Sequence, residues 1–230
     1  KNKFSMVGYV LRFDKVLNKV KEIVKKRKYG SVLHANISAG QYLPYWRTNK
    51  KYQYGVSAQK KLGGGVLLEL SHEIDYAKWI FGKPNKVFCV AKKISNLKIN
   101  VEDIASIIFE YEKKVVQISL DFLQRTPKLD MKVVFEKATI YCNLIKQEIK
   151  IFSEIFPKGK NIPIKKFKNG NEIYLHQMDF LLNKSFKNNN LKFKENKNFK
   201  NFSTINESKE ILEIIEKLKK SSVKGSKLKI

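Results

Sequence analysis

A chain of 230 residues with 43% hydrophobic and 12% aromatic residues can build one packed domain with a tail, which excludes a disordered polyelectrolyte despite 30% charged residues. The net charge of +26 would attract phosphate, yet only Arg12, Arg27, Arg47 and Arg125 carry guanidinium groups, and the remaining basic residues are lysines scattered along the chain. Base readers and phosphate clamps lean on clustered arginine forks, so nucleic-acid binding is set aside as a main function.

The chain opens at Lys1 into FSMVGYVL, a run over residues 4–11 that reads as a short buried strand and points to a piece of protein upstream. From Phe13 to Tyr29 the period becomes helical, with Val16, Leu17, Val20, Ile23 and Val24 three or four apart and lysines opposite. Gly30 is placed to end that helix. SVLHANISAG then alternates, putting Leu33, Ala35, Ile37 and Ala39 on one strand face and His34 on the other. Residues 41–62 form a long loop with Tyr42, Tyr45, Trp46, Tyr52 and Tyr54, and loops of that length in a domain are usually functional or mobile.

After Gly63-Gly64-Gly65 a second helix is expected from about Val66 to Phe81, stopping at Gly82. NKVFCVAKK, DIASIIFEYE, VVQISLDFL, LDMKVVFEK, TIYCNLI and KQEIKIFS follow as consecutive strands on short connections, which favours antiparallel pairing. Helices return at about 171–187, carrying His176, and at 205–221. The Lys/Asn-rich KNNNLKFKENKNFK between them reads as a surface loop, and SSVKGSKLKI as a basic tail. The fold class is α+β: an open, mostly antiparallel sheet with helices packed on one face. No glycine-rich dinucleotide fingerprint follows a strand, and Gly63-Gly64-Gly65 lacks its spacing. Cys89 and Cys142 sit in apolar runs and read as buried thiols. With no signal peptide and no membrane-length apolar stretch, a cytoplasmic setting is expected.

The densest chemistry lies in KLGGGVLLELSHEIDYAKWIFG, residues 61–82. Glu69, His72 and Asp75 recur at intervals of three and share one helical face, and an imidazole between carboxylates can be tuned to accept a proton near neutral pH. The same pattern suits a satisfied structural histidine. One His and two carboxylates without further ligands do not make a metal site.

This segment resembles the glycine-rich helix of the Gfo/Idh/MocA oxidoreductases, the family containing glucose–fructose oxidoreductase and inositol dehydrogenase. VGYVLRFD at 7–14 is similar to the family's crossing out of its dinucleotide-binding Rossmann domain. Tyr29 to Val32 is similar to its entry to the sheet, and FSTINESKEILEIIEKLKKSS to its closing helix. The resemblance implies that residues 1–12 end a Rossmann domain and cross over, and that 13–230 form the substrate-binding and oligomerisation domain. It also implies His72 as the catalytic base with Glu69 beside it, although the family often has Asp there, four residues before the His instead of three. Arg12, Tyr42, Trp46, Arg47, Tyr54, Lys60 and Asp75 become the substrate-side candidates, Asp75 with a structural bias. The substrate would be a sugar, nucleotide-sugar or cyclitol. NAD or NADP would be bound by the half not present here, so this chain alone is expected to be inactive. Homo-oligomers would form through the open sheet face. An inactive binding or assembly module is the alternative reading.

Overall fold

The computed structural model describes residues 5–47, 51–186 and 201–230, so the Lys/Asn-rich segment at 187–200 lies outside the described residues. The expected first strand is not one. Val7 makes a single bridge to Ser203, and the chain then winds into a 3-10 turn at Val10–Phe13. That turn carries the Arg12 side chain into the interior.

Helix α1, Lys15–Lys26, starts where the Asp14 carboxylate accepts the Leu17 N–H at 3.0 Å. It ends at Arg27 in the left-handed region, φ 49°, three residues before the glycine expected to stop it. Gly30 serves the next turn instead: its φ is +82°, and a Cβ there would strike Glu136, whose carboxylate accepts the Ser31 N–H at 3.1 Å.

Strands β1 (Val32–Gly40), β2 (Lys86–Lys92), β3 (Ile104–Glu110), β4 (Val115–Asp121), β5 (Lys128–Phe135), β6 (Ala138–Asn143), β7 (Glu148–Ser153), β8 (Phe156–Ile162) and β9 (Leu228–Lys229) make one open sheet in the order 8-7-6-5-1-4-3-2-9. It is antiparallel except where β1 runs parallel to β4. Pairing register lines up Cys89, Ile107, Ile118, Ile37, Met131, Cys142 and Ile149 across seven strands on the covered face. The neighbouring row, Phe88, Ile108, Gln117, Asn36, Lys132, Tyr141 and Lys150, lies on the open face. Leu33 departs from the expected alternation: a register shift between Val32 and His34 leaves it exposed.

The covered face is packed by α1, by α3 (Ser71–Phe81) and by α5 (Ile205–Lys224), which bury Val16, Leu17, Val20, Ile74, Ile211, Ile215 and Leu218 among others. Thr204 and Glu207 form a reciprocal capping box at the start of α5. Its far end seals a sheet edge. Ser221 Oγ accepts the Cys89 N–H at 3.1 Å, and Ser222 Oγ accepts the Ala91 N–H at 2.8 Å, where β9 no longer covers β2. Helix α4, Glu172–Phe186, packs on the 3-10 turn through Phe13 and Phe180. Strands β8 and β9 were not expected from the sequence. Both cysteines are buried, and burial raises both thiols. No helix among the described residues is long and apolar enough to cross a membrane.

Candidate functional site

Three glycines set the site. Gly63 and Gly65 take φ of +80° and +109°, open to glycine at little cost. A Cβ on Gly64 would strike the Val56 carbonyl, and one on Gly65 would strike the Glu102 carboxylate. The chain therefore passes between the end of the 41–62 loop and the loop before β3. Main-chain bonds hold it there: the Gly65 N–H donates to Ser57 O at 3.1 Å, the Val66 N–H to Glu102 O at 3.2 Å, and the Leu67 N–H to Glu102 Oε1 at 3.2 Å.

The expected single helix from Val66 to Phe81 is two. Helix α2, Val66–Glu69, ends at Leu70, whose φ −102° and ψ 33° break the α-helical path before α3 begins at Ser71. Glu69 and His72 are thus on different helices, and the three-residue spacing that linked them runs across a break. Only His72 and Asp75 share a helix face.

Glu69 is half-buried, and its Oε2 accepts a hydrogen bond from Ser57 Oγ at 2.7 Å. His72 stands on the first turn of α3 with the edge of Tyr9 against it, ring centroids 5.4 Å apart at 87°. Burial lowers the imidazole's pKa, while the negative charges of Asp75 and then Glu69 act the other way. Its Nδ1 is buried and has no hydrogen-bond partner among the described residues. A neutral imidazole with one nitrogen unassigned, held near two carboxylates, is the chemistry of a proton acceptor.

Arg12 and Asp75, expected to meet substrate, meet each other. Arg12 Nε and Nη2 donate to the two Asp75 oxygens at 2.8 and 2.7 Å, with side chains only 2% and 1% exposed. Arg12 Nη1 also donates to the Phe202 carbonyl at 2.9 Å and reaches Glu207 at 3.4 Å. Burial raises the Asp75 pKa and the two Arg12 hydrogen bonds oppose that rise, while the pairing leaves both side chains buried against each other.

The aromatic loop divides. Trp46 packs edge-on against Phe122, centroids 5.3 Å apart, and its Nε1 donates to Gln41 O at 3.1 Å, which is core packing. Tyr42 and Tyr45 are gripped by Arg125, whose guanidinium lies 3.7 Å from the Tyr42 ring centroid and donates to Tyr45 Oη at 3.1 Å. Arg47, Tyr54 and the Lys60 side chain are exposed, Tyr54 at 71%. Among the described residues, no hydrogen bond joins Tyr42, Trp46, Arg47, Tyr54 or Lys60 to Glu69 or His72. Sequence reasoning missed Tyr9, Ser57, Glu102 and Arg125. A serine in a loop and a tyrosine in an apolar run carry no signal of their own, and only the fold brings Tyr9 to the histidine and Ser57 to Glu69.

Comparison with known proteins points one way. A family model described as the GFO/IDH/MocA C-terminal domain matches residues 17–141. No curated protein matches the sequence. Among solved structures, levoglucosan dehydrogenase in complex with NADH superposes with a TM-score of 0.77 at 14% identity, covering 98% of this chain and 65% of that one. An oxidoreductase from Agrobacterium radiobacter in complex with NAD+, L-tartaric acid and magnesium gives 0.71 at 13% identity, covering 97% and 64%. An NAD-binding oxidoreductase from Klebsiella pneumoniae gives 0.74 at 12% identity, covering 97% and 65%. This chain therefore spans just under two thirds of the length of the structures it matches.

Proposed function

The chain belongs to the GFO/IDH/MocA C-terminal domain family, and on that ground we propose that it is the substrate-side domain of an NAD(P)-dependent oxidoreductase acting on a sugar, nucleotide-sugar or cyclitol hydroxyl. The observation that carries the reading is His72: an imidazole whose pKa burial lowers, close to the charges of Asp75 and Glu69, with the edge of Tyr9 against its ring and the aromatic loop reaching Glu69 through Ser57. In this role His72 takes the proton of the substrate hydroxyl, and Glu69 and the Arg12-bound Asp75 stabilise the imidazolium that results. Tyr54, Arg47 and Lys60, exposed on the loop, are the groups free to cover a polyol.

Among the described residues, the glycine turn does not fit a dinucleotide. The glycine turn leads into a helix of four residues, and Glu102 already accepts its first amides and sets a carboxylate where a pyrophosphate would need positive potential. We assign cofactor binding to a separate Rossmann domain, with residues up to about 12 as the crossover and a cytoplasmic setting. When bound there, the nicotinamide supplies the hydride acceptor.

The test is the full-length protein assayed with NAD+ or NADP+ against sugars, nucleotide-sugars and cyclitols. Turnover of one of them, with His72→Ala lowering kcat about 10³-fold, is the expected result. Full activity in His72→Ala would remove the histidine from this role, and nicotinamide reduction by the isolated chain would overturn the division of labour. A full-length protein inert toward the whole panel would favour an assembly module, a reading to which the uncovered sheet face lends support.

A further inference from the structure

Ser57 stands where the aromatic loop, the glycine turn and Glu69 meet. Its carbonyl accepts the Gly65 N–H at 3.1 Å, and its hydroxyl donates to Glu69 Oε2 at 2.7 Å. One residue thus ties the loop to the turn through the main chain and to the carboxylate through the side chain. We propose that Ser57 is a positioning residue that holds the Glu69 carboxylate where it supports His72 as a proton acceptor, so that the base responds to the seating of the 41–62 loop. This rests on the reading of His72 as the base.

The surroundings of His72 leave Glu69 as the adjustable member. Tyr9 covers the ring with its edge, and Asp75 is locked by two hydrogen bonds from Arg12. Burial works against the protonated ring, and Asp75 and Glu69 are the groups that oppose it. Asp75 cannot move without breaking a buried ion pair. Glu69 sits at the end of a four-residue helix, half-buried, on a side chain with three free torsions. Without the Ser57 hydrogen bond it can swing toward water, where its field at the imidazole is screened. The main-chain bond from Gly65 to Ser57 survives loss of the hydroxyl, so the loop can stay docked while the carboxylate is released.

The experiment follows the His72 imidazole by NMR through a pH titration of this chain, with His34 and His176 as internal references. Ser57→Ala should lower the His72 midpoint by roughly 0.3–0.5 in pH, and Ser57→Thr, which keeps the hydroxyl, should preserve it. Glu69→Gln should lower it at least as far, and adding Ser57→Ala to Glu69→Gln should change nothing more. An unmoved midpoint in Ser57→Ala would overturn the proposal, as would an equal shift by Ser57→Ala in the Glu69→Gln background. If Ser57→Ala fails to fold, Glu69→Gln decides: no fall in the His72 midpoint there also overturns it. The titration needs no turnover. Activity retained in full-length His72→Ala, with the coupling intact, would therefore discard the base and keep the Ser57–Glu69–His72 link.

Discussion

Glu73 follows His72 in the chain and has the opposite fate. It is 3% exposed, its Oε2 has no hydrogen-bond partner among the described residues, and burial pushes its carboxyl up to about 8. The neighbouring Tyr76 hydroxyl is equally buried and equally unpartnered. In the unfolded chain Glu73 ionises near its ordinary value of 4.5. Below that pH both states are neutral and the group adds no pH dependence to stability. Between about 4.5 and 8 the unfolded chain releases the proton while the folded one retains it, so stability falls as pH rises and levels off above 8. Glu73→Gln should remove that slope and gain about 2–4 kcal/mol at pH 8 relative to the parent. Urea unfolding of both proteins at pH 5 and pH 8 measures it, and parallel pH slopes would show that Glu73 is not held neutral. None of this is legible in HEIDY, where Glu73 reads as one more surface charge. The pattern did single out His72 and Asp75, because a three-residue interval within one helix is a local property. That Asp75 answers Arg12, 63 residues away, was not local and was not seen.

At the level of elements, the glycine turn is where local rules and packing agree most tightly. Gly65 combines φ +109° with a Cβ position already occupied by the Glu102 carboxylate. Gly65→Ala should cost about 2–3 kcal/mol, from backbone strain and from displacing the group that caps α2. Gly170→Ala, where nothing lies within 4 Å of the added carbon, should stay within a few tenths of a kcal/mol. Thermal unfolding of the two variants separates these outcomes, and equal midpoints would deny the turn its structural demand. Helices α1 and α5 and most strands were readable because each buries a periodic stripe. Strand β8 was not: FPKGKNI has a proline, a glycine and two lysines and no apolar alternation, and it forms because the free edge of β7 offers it a register. The break at Leu70 was equally silent in sequence. It arises because Glu102 and Ser57 anchor α2 from outside, while α3 takes its direction from packing on the sheet.

For the whole molecule, the question is the uncovered sheet face. Val90, Val115 and Tyr141 are 40%, 38% and 50% exposed there, among Gln117, Lys132 and Lys150. Burying that face between two copies is the use that the family resemblance implies for it, in keeping with closed symmetric assemblies. Val115→Glu together with Tyr141→Glu should lower the solution mass, measured by light scattering, from a multiple of the chain to a single copy. An unchanged multimer would move the interface elsewhere, and a monomeric parent chain would sink the idea.

The amino-acid pattern alone determined the α+β class, the helix-then-strands order, the burial of both cysteines and the segment that holds the histidine. Those follow from periodicity and glycine chemistry, which act over a few residues. The tertiary structure decided that β1 lies between β4 and β5, that Arg12 and Asp75 satisfy each other, and that Ser57 reaches Glu69. Such pairings join residues that are strangers in sequence. What selects them is the free energy of burying a polar group only beside its partner, and that is settled when the sheet and helices close on one another.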